Sequence, residues 1–302
     1  MEKIQQKYYR NPHIRAPFIR GMTNDFQTQI AYDYFSYFQQ YYISKNFNVD
    51  HSPLKFMTQL IKLNAGSTNI KNSALLKTLV NLKELDLSKN INCDISSLKY
   101  LVKLNHLNLS DTCILDISAW EPLIHLEDLN VANDFCANVF YVDITPQKNM
   151  KKLQAITSSN MQLQKTHMFN QLFNLKKLDC NLKDISALKN LTTLQNLGLC
   201  MNKYINITPL QYLIQLTDLH LSNCEILEIS ALSPLYNLKR LDITQNEIFD
   251  ITVVKMQFTS LRFLNNRVID LPPIKNIQTS TPTYTTINNN PRTKKKFYGN
   301  GY

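Results

Sequence analysis

Leucine-like residues recur along this chain with a fixed period. In LVNLKELDLSKNINCDISSLKY (79–100) and LVKLNHLNLSDTCILDISAWEP (101–122) they occupy the same places in two successive stretches of 22 residues. With Leu79 as slot 0, apolar residues fall at slots 0, 3, 6 and 8 and an asparagine stands near slot 11. Asp-Ile-Ser follows at slots 15–17, with a further apolar residue at slot 19. Leu-x-Leu at slots 6 and 8 has the period of two that lines one face of a short strand. One copy cannot bury its own apolar edge. Stacked copies form a continuous core and a parallel sheet.

The copies begin at Met57, Leu79, Leu101, Leu123, Met150, Leu172, Leu191, Leu213, Leu235 and Phe258, the last being partial. ISKNFNVDHSPLK (43–55) matches LSKNINCDISSLK (87–99), which places a degenerate first copy at 35–56 with Phe35, Phe38, Tyr41 and Ile43 inward. The alternative for 24–42 is an amphipathic capping helix; with the repeat, the helix is confined to 24–34. The slot-11 asparagines Asn90, Asn202 and Asn246 are placed to bond backbone where the chain leaves the strand. Ser or Thr in Asp94-Ile95-Ser96, Asp116-Ile117-Ser118, Asp143-Ile144-Thr145, Asp184-Ile185-Ser186, Glu228-Ile229-Ser230 and Asp250-Ile251-Thr252 is expected to N-cap a short helical turn.

The pattern L-x-x-L-x-x-L-x-L-S-x-N-x-I-x-D-I-S-x-L resembles the 22-residue class of leucine-rich repeats. That class is shared by repeat-built regulatory subunits of protein phosphatase and by bacterial internalins. The resemblance implies an α/β solenoid: an arc with a parallel sheet on its concave face and short helical turns or loops on its convex face. It also implies that the sheet face binds other proteins. The domain reading is a capping segment at 1–34, the solenoid at 35–274 in about eleven copies and a disordered basic tail at 275–302. No counterpart of the phosphatase regulators' dedicated C-terminal cap is visible. A phosphatase regulatory subunit and a surface or host-contact adhesin therefore stand as alternatives to a scaffold or adaptor.

The period breaks in the middle. The copy at 123–149 is five residues over the period, with the excess near Asp134–Val142. The copy at 172–190 is three short, and the one at 150–171 reads Lys165-Thr166-His167 where Asp-Ile-Ser is expected. Drift on a rim loop and an aromatic contact by Phe135, Phe140 and Tyr141 are both open.

Charge changes the picture little. The formal net charge of +10 divides into +3 for residues 1–56, +5 for 275–302 and +2 for the 218 residues between. A basic groove for nucleic acid is not indicated in the body. Six cysteines without a C-x-x-C pair read as reduced thiols, Cys200 included, and no secretory signal or apolar run of spanning length is visible. These features place the protein in the cytoplasm, or in the nucleus if the basic Pro291–Lys296 segment addresses it there. Five glycines exclude a phosphate-cradling loop. No H-E-x-x-H or G-x-S-x-G occurs. No enzyme, cofactor, metal site or small-molecule substrate is expected.

Slots 5 and 7 point away from the core and line up as columns on the sheet face. Slot 5 reads Lys62, Glu84, His106, Asp128, Ala155, Lys177, Asn196, Asp218, Arg240, Phe263, and slot 7 reads Asn64, Asp86, Asn108, Asn130, Thr157, Asp179, Gly198, His220, Asp242, Asn265. Six acids face three cations. The candidate protein-binding residues are Asp179 and two groups: Glu84, Asp86, His106 and Asp128, then Asp218, His220, Arg240 and Asp242. Each group sets a histidine among carboxylates, which suits a partner with a basic docking surface.

Overall fold

The computed structural model describes residues 37–47, 51–113, 118–133, 141–143, 149–164, 166–182, 184–252 and 258–268. The expected cap at 1–34, the basic tail and most of the 134–142 insertion lie outside them. The chain divides into two compact units, Met1–Leu182 and Lys183–Tyr302.

The N-terminal unit contains β1 (Gln40–Tyr42), β2 (Lys62–Asn64), β3 (Glu84–Asp86), β4 (His106–Asn108), β5 (Asp128–Asn130), β6 (Tyr141–Asp143), β7 (Ala155–Gln164) and β8 (Lys177–Asn181). The first five pair in parallel in register, Gln40 against Lys62, Lys62 against Glu84, Glu84 against His106, His106 against Asp128. β5 then pairs with β7 and β7 with β8. The C-terminal unit contains β9 (Asn196–Gly198), β10 (Asp218–His220), β11 (Arg240–Asp242) and β12 (Ser260–Arg262), also parallel. In each unit 3-10 turns lie across the core from the strands, so both are leucine-rich-repeat solenoids. Within the first copy, Tyr41 and Ile43 are buried and Phe38 packs edge-on to Tyr41 with ring centroids 6.3 Å apart. Among the described residues no helix is long and apolar enough to cross a membrane.

Leucines at slots 0, 3 and 6, such as Leu79, Leu82 and Leu85, are 0–3 % exposed. Each such burial contributes about 1.5–3 kcal/mol. Slot 19 closes the core from the turn side with Leu54, Leu76 and Leu98, and with the larger Trp120 and Phe169 in the irregular stretch.

The strands are short because slot 10 leaves the extended region. Ser67, Lys89, Asp111, Met201, Asn223, Gln245 and Asn265 all have φ between 56° and 60°. A non-glycine residue there costs roughly 1–2 kcal/mol. The slot-11 asparagine offsets that cost. Asn90 Nδ2 donates to the carbonyls of Ala65 (2.8 Å) and Leu87 (2.7 Å), while its Oδ1 accepts from the amides of Thr68 and Ile70 (3.1 Å each). Asn246 repeats this with Leu221, Ile243, Cys224 and Ile226. Where slot 11 holds another residue, Thr68 donates to Ala65 O, Thr112 to Leu109 O and the Cys224 thiol to Leu199 O, so these three copies still fasten a neighbour or themselves.

Several expectations are corrected. The turn is capped by the acidic or amide residue and not by Ser or Thr. Asp94 Oδ1 accepts from Ser96 N (2.9 Å) and its Oδ2 from Ser96 Oγ (3.0 Å), and Asp184 does the same with Ser186. Asn72, Asn206 and Asp250 likewise accept from the amide two residues on. Ser and Thr are instead the first residues of the 3-10 turns. In the last copy Ser260, Leu261 and Arg262 align with Arg240, Leu241 and Asp242, three residues earlier than a frame starting at Phe258. Asn266 fixes that register by accepting from Ile248 N (3.1 Å) and donating to Ile243 O and Phe263 O (2.8 Å each). Phe263 and Asn265 therefore leave the face columns, and Ser260 and Arg262 replace them.

The middle is irregular for a local reason. With Met161 at slot 11 there is no amide to turn the chain, and β7 continues for ten residues, interrupted at Asn160 with φ 63°. β6, from the end of the insertion, pairs with the extension through Tyr141 against Gln162. Finally, Cys113 is disulfide-bonded and not a reduced thiol. It stands at slot 12 of its copy.

Candidate functional site

The sheet face of the N-terminal unit is built by slots 5 and 7, whose alternation with buried slot 6 turns them outward. It carries a hollow of about 340 Å³ lined by Tyr42, Lys62, Glu84, Asp86, His106, Asn108, Asp128, Asn130, Thr157 and Lys177, among others. Glu84 is held by Lys62 at 2.6 Å, and that contact raises the Lys62 ammonium pKa above its ordinary value, the hydrogen bond being the largest cause. Asp86 has a backbone duty: its Oδ1 accepts from Ser88 N at 2.8 Å. Asn64, Asn108 and Asn130 at the same slot accept from Gly66, Ser110 and Ala132. Slot 7 is thus a turn-capping column as much as a display column. His106 is exposed, with Nδ1 2.9 Å from Asn105 Oδ1. Asp128 is exposed on the hollow, and Asp179 is half-buried on β8 in register with Thr157. Neither is in an ion pair among the described residues.

The C-terminal unit's face differs. Asp218 is buried and bonded to Arg240, with Thr217 Oγ1 donating to its other oxygen at 2.6 Å. Asp242 is 9 % exposed. It accepts from Thr244 N (3.0 Å) and Oγ1 (2.8 Å), and Arg262 approaches it at 3.3 Å. His220 is exposed beside them on β10.

Two cations, Arg240 and Arg262, therefore match the two carboxylates, Asp218 and Asp242, on this unit's sheet face. In the N-terminal unit Glu84, Asp86, Asp128 and Asp179 face only Lys62 and Lys177, so the acid excess belongs there. The sequence reading missed Arg262, through the shifted last frame. It also missed Tyr42, half-exposed at slot 7 of the first copy, although the 43–55 match that revealed the copy also located this position.

The buried thiols are chemically quiet. Burial pushes Cys93 and Cys224 up to about 11 and Cys180 upward as well. Among the described residues no group of three His, Cys, Asp or Glu side chains could hold a metal ion.

No family model matches the chain, and no curated protein does. Solved structures do. Internalin F of Listeria monocytogenes superposes with a TM-score of 0.63 at 26 % identity, over 78 % of this chain and 76 % of that one. Internalin C2 of the same organism gives 0.55 at 28 %, over 65 % and 84 %. The chain is a leucine-rich-repeat protein. The fold reaches further, to a chain of the Drosophila Toll–Spätzle complex, at 0.59 and 16 % identity over 78 % of this leucine-rich-repeat chain and 34 % of that one. At that identity the likeness concerns fold alone.

Proposed function

We propose that this leucine-rich-repeat protein is a binding module that engages a protein partner through the sheet face of its N-terminal unit. The observation that carries the proposal is the hollow with its Asp128, in no ion pair among the described residues, beside His106 and an excess of carboxylates over lysines. Such a face suits a partner that projects Lys or Arg. A carboxylate that the fold does not pair keeps its charge for an incoming cation. The protein-interaction role accords with the leucine-rich-repeat fold, which the chain shares with a chain of the Toll–Spätzle complex. The test is affinity purification with the wild-type chain, an Asp128→Lys bait and an Asp242→Lys bait, followed by direct binding of the recovered protein. The reading predicts loss of that protein with Asp128→Lys and its retention with Asp242→Lys. Equal recovery with all three removes the N-terminal face from consideration. Recovery of a phosphatase would make the module a regulatory subunit.

A second reading, an exported surface adhesin, is favoured by the Cys113 disulfide and by the internalin likeness, since disulfides persist in oxidising compartments. Trapping thiols by alkylation in the source cells decides it. An oxidised Cys113 supports export, and a reduced one supports the cytoplasmic adaptor.

A further inference from the structure

A second surface lies on the turn side of the N-terminal unit. Lys55, Lys77 and Lys99 occupy the same slot of three successive copies, and all are exposed. Lys55 lies 4.8 Å from the centroid of the Phe56 ring and Lys99 5.4 Å from that of Tyr100. Lys83 and Lys103 follow in the chain, shortly before β3 and β4, and are exposed too. Residues 53–61, 75–83 and 97–105 hold these five lysines and no acid. None of the five is in an ion pair among the described residues. Lys103 donates to Asn81 Oδ1 at 2.7 Å. Beside the lysine column runs an apolar one, three residues further on: Val80, Val102 and Ile124 are 45, 43 and 47 % exposed. Glu121 ends the cationic column one copy later.

We infer that this ridge is a docking surface for an acidic amphipathic helix. Three features select that partner. Successive copies are spaced ~4.8 Å apart at the strands, close to the ~5.4 Å pitch of an α-helix, so carboxylates at i, i+4 and i+8 meet successive lysines. The neighbouring apolar column has the same spacing and receives the helix's apolar stripe. The uncompensated positive charge complements acids and discriminates against basic helices. The half-sunken Val80 and Val102 offer little area for insertion between lipids, which favours a helix over an anionic membrane. The three-copy length fits a helix of two to three turns.

The probe is a fluorescein-labelled helical peptide with glutamates at i, i+4 and i+8 and leucines alongside. Its control has the same composition with the glutamates moved off one face. The proposal expects the control to bind at least tenfold more weakly by fluorescence anisotropy. The combined Lys55→Glu, Lys77→Glu, Lys99→Glu protein is expected to lose the same factor with unchanged circular dichroism. Equal binding of both peptides, or undiminished binding by the triple variant, overturns it. Sedimentation of wild type but not the triple variant with phosphatidylserine vesicles, without peptide binding, overturns it in favour of a lipid surface. Should the triple variant misfold, the two-peptide comparison on wild type decides alone.

Discussion

Replacing Asn90 by alanine is the sharpest challenge to the account of how one copy is fastened to the next. The side chain makes two bonds through Nδ2 and two through Oδ1, all at 2.7–3.1 Å and all buried. At a net worth of about 1 kcal/mol each, these sum to about 4 kcal/mol. A water entering the vacated space restores about one bond, leaving an expected loss of about 3–4 kcal/mol. That rivals the removal of a core leucine, which costs about 2–5 kcal/mol. Urea unfolding followed by circular dichroism measures the loss. Hydrogen exchange locates it at the Thr68 and Ile70 amides, which lie one copy before the mutation. The Asn90→Asp variant keeps the acceptor and loses both donors, setting a carboxylate against the carbonyls of Ala65 and Leu87; its deficit should shrink as pH falls and the carboxylate is neutralised. A loss below about 1 kcal/mol, or unchanged exchange at Thr68 and Ile70, would refute the ladder as a fastening device.

Three further outcomes follow from the same geometry. Met201→Gly relieves a left-handed residue at φ 60° and should raise the unfolding free energy by about 0.5–1 kcal/mol, the strain of about 1–2 kcal/mol less glycine's greater unfolded-state entropy; a lowered urea midpoint refutes the strain argument. Arg240→Ala strips the buried Asp218 of its cation and should cost about 1–2 kcal/mol, less than a fully buried pair because Arg240 is 56 % exposed; a cost at or near zero in the same unfolding assay would mean that Thr217 alone suffices. The amide and hydroxyl of Ser186 lower the Asp184 pKa, so its contribution is complete above the unfolded pKa near 4 and is lost as pH falls through the lower folded value; Asp184→Asn keeps the amide bond and should flatten the stability profile in that acid window, and an unchanged profile excludes the linkage.

How much of this was legible in the sequence depends on which atoms do the work. The strands, their parallel register and the inward leucines follow from apolar periodicity, because burial acts on side-chain identity slot by slot. The Asn90 and Asn246 ladders were also legible, since a turn that buries backbone needs an amide offering donor and acceptor together. The last copy was misplaced because Phe258, Leu261 and Leu264 fit slots 0, 3 and 6 as well as Phe258, Leu261 and Phe263 fit slots 3, 6 and 8. Apolar residues alone leave two frames, and the polar Asn266 chooses between them. The length of β7 was hidden for the converse reason: with Met161 at slot 11, nothing forces the turn, and only a missing polar group announces it. The same logic reaches the candidate site. Asp86 and Asp242 look like display carboxylates in a column, yet each accepts from a backbone amide two residues on, as Asn64, Asn108 and Asn130 do at the same slot. A slot where Asn and Asp interchange is answering a backbone donor, which needs an acceptor and not a charge. Slot 5 has no such duty, so its composition is free to follow a partner. Of the slot-5 acids, Glu84 is held by Lys62 and Asp218 by Arg240, which leaves Asp128 as the carboxylate that no cation among the described residues holds.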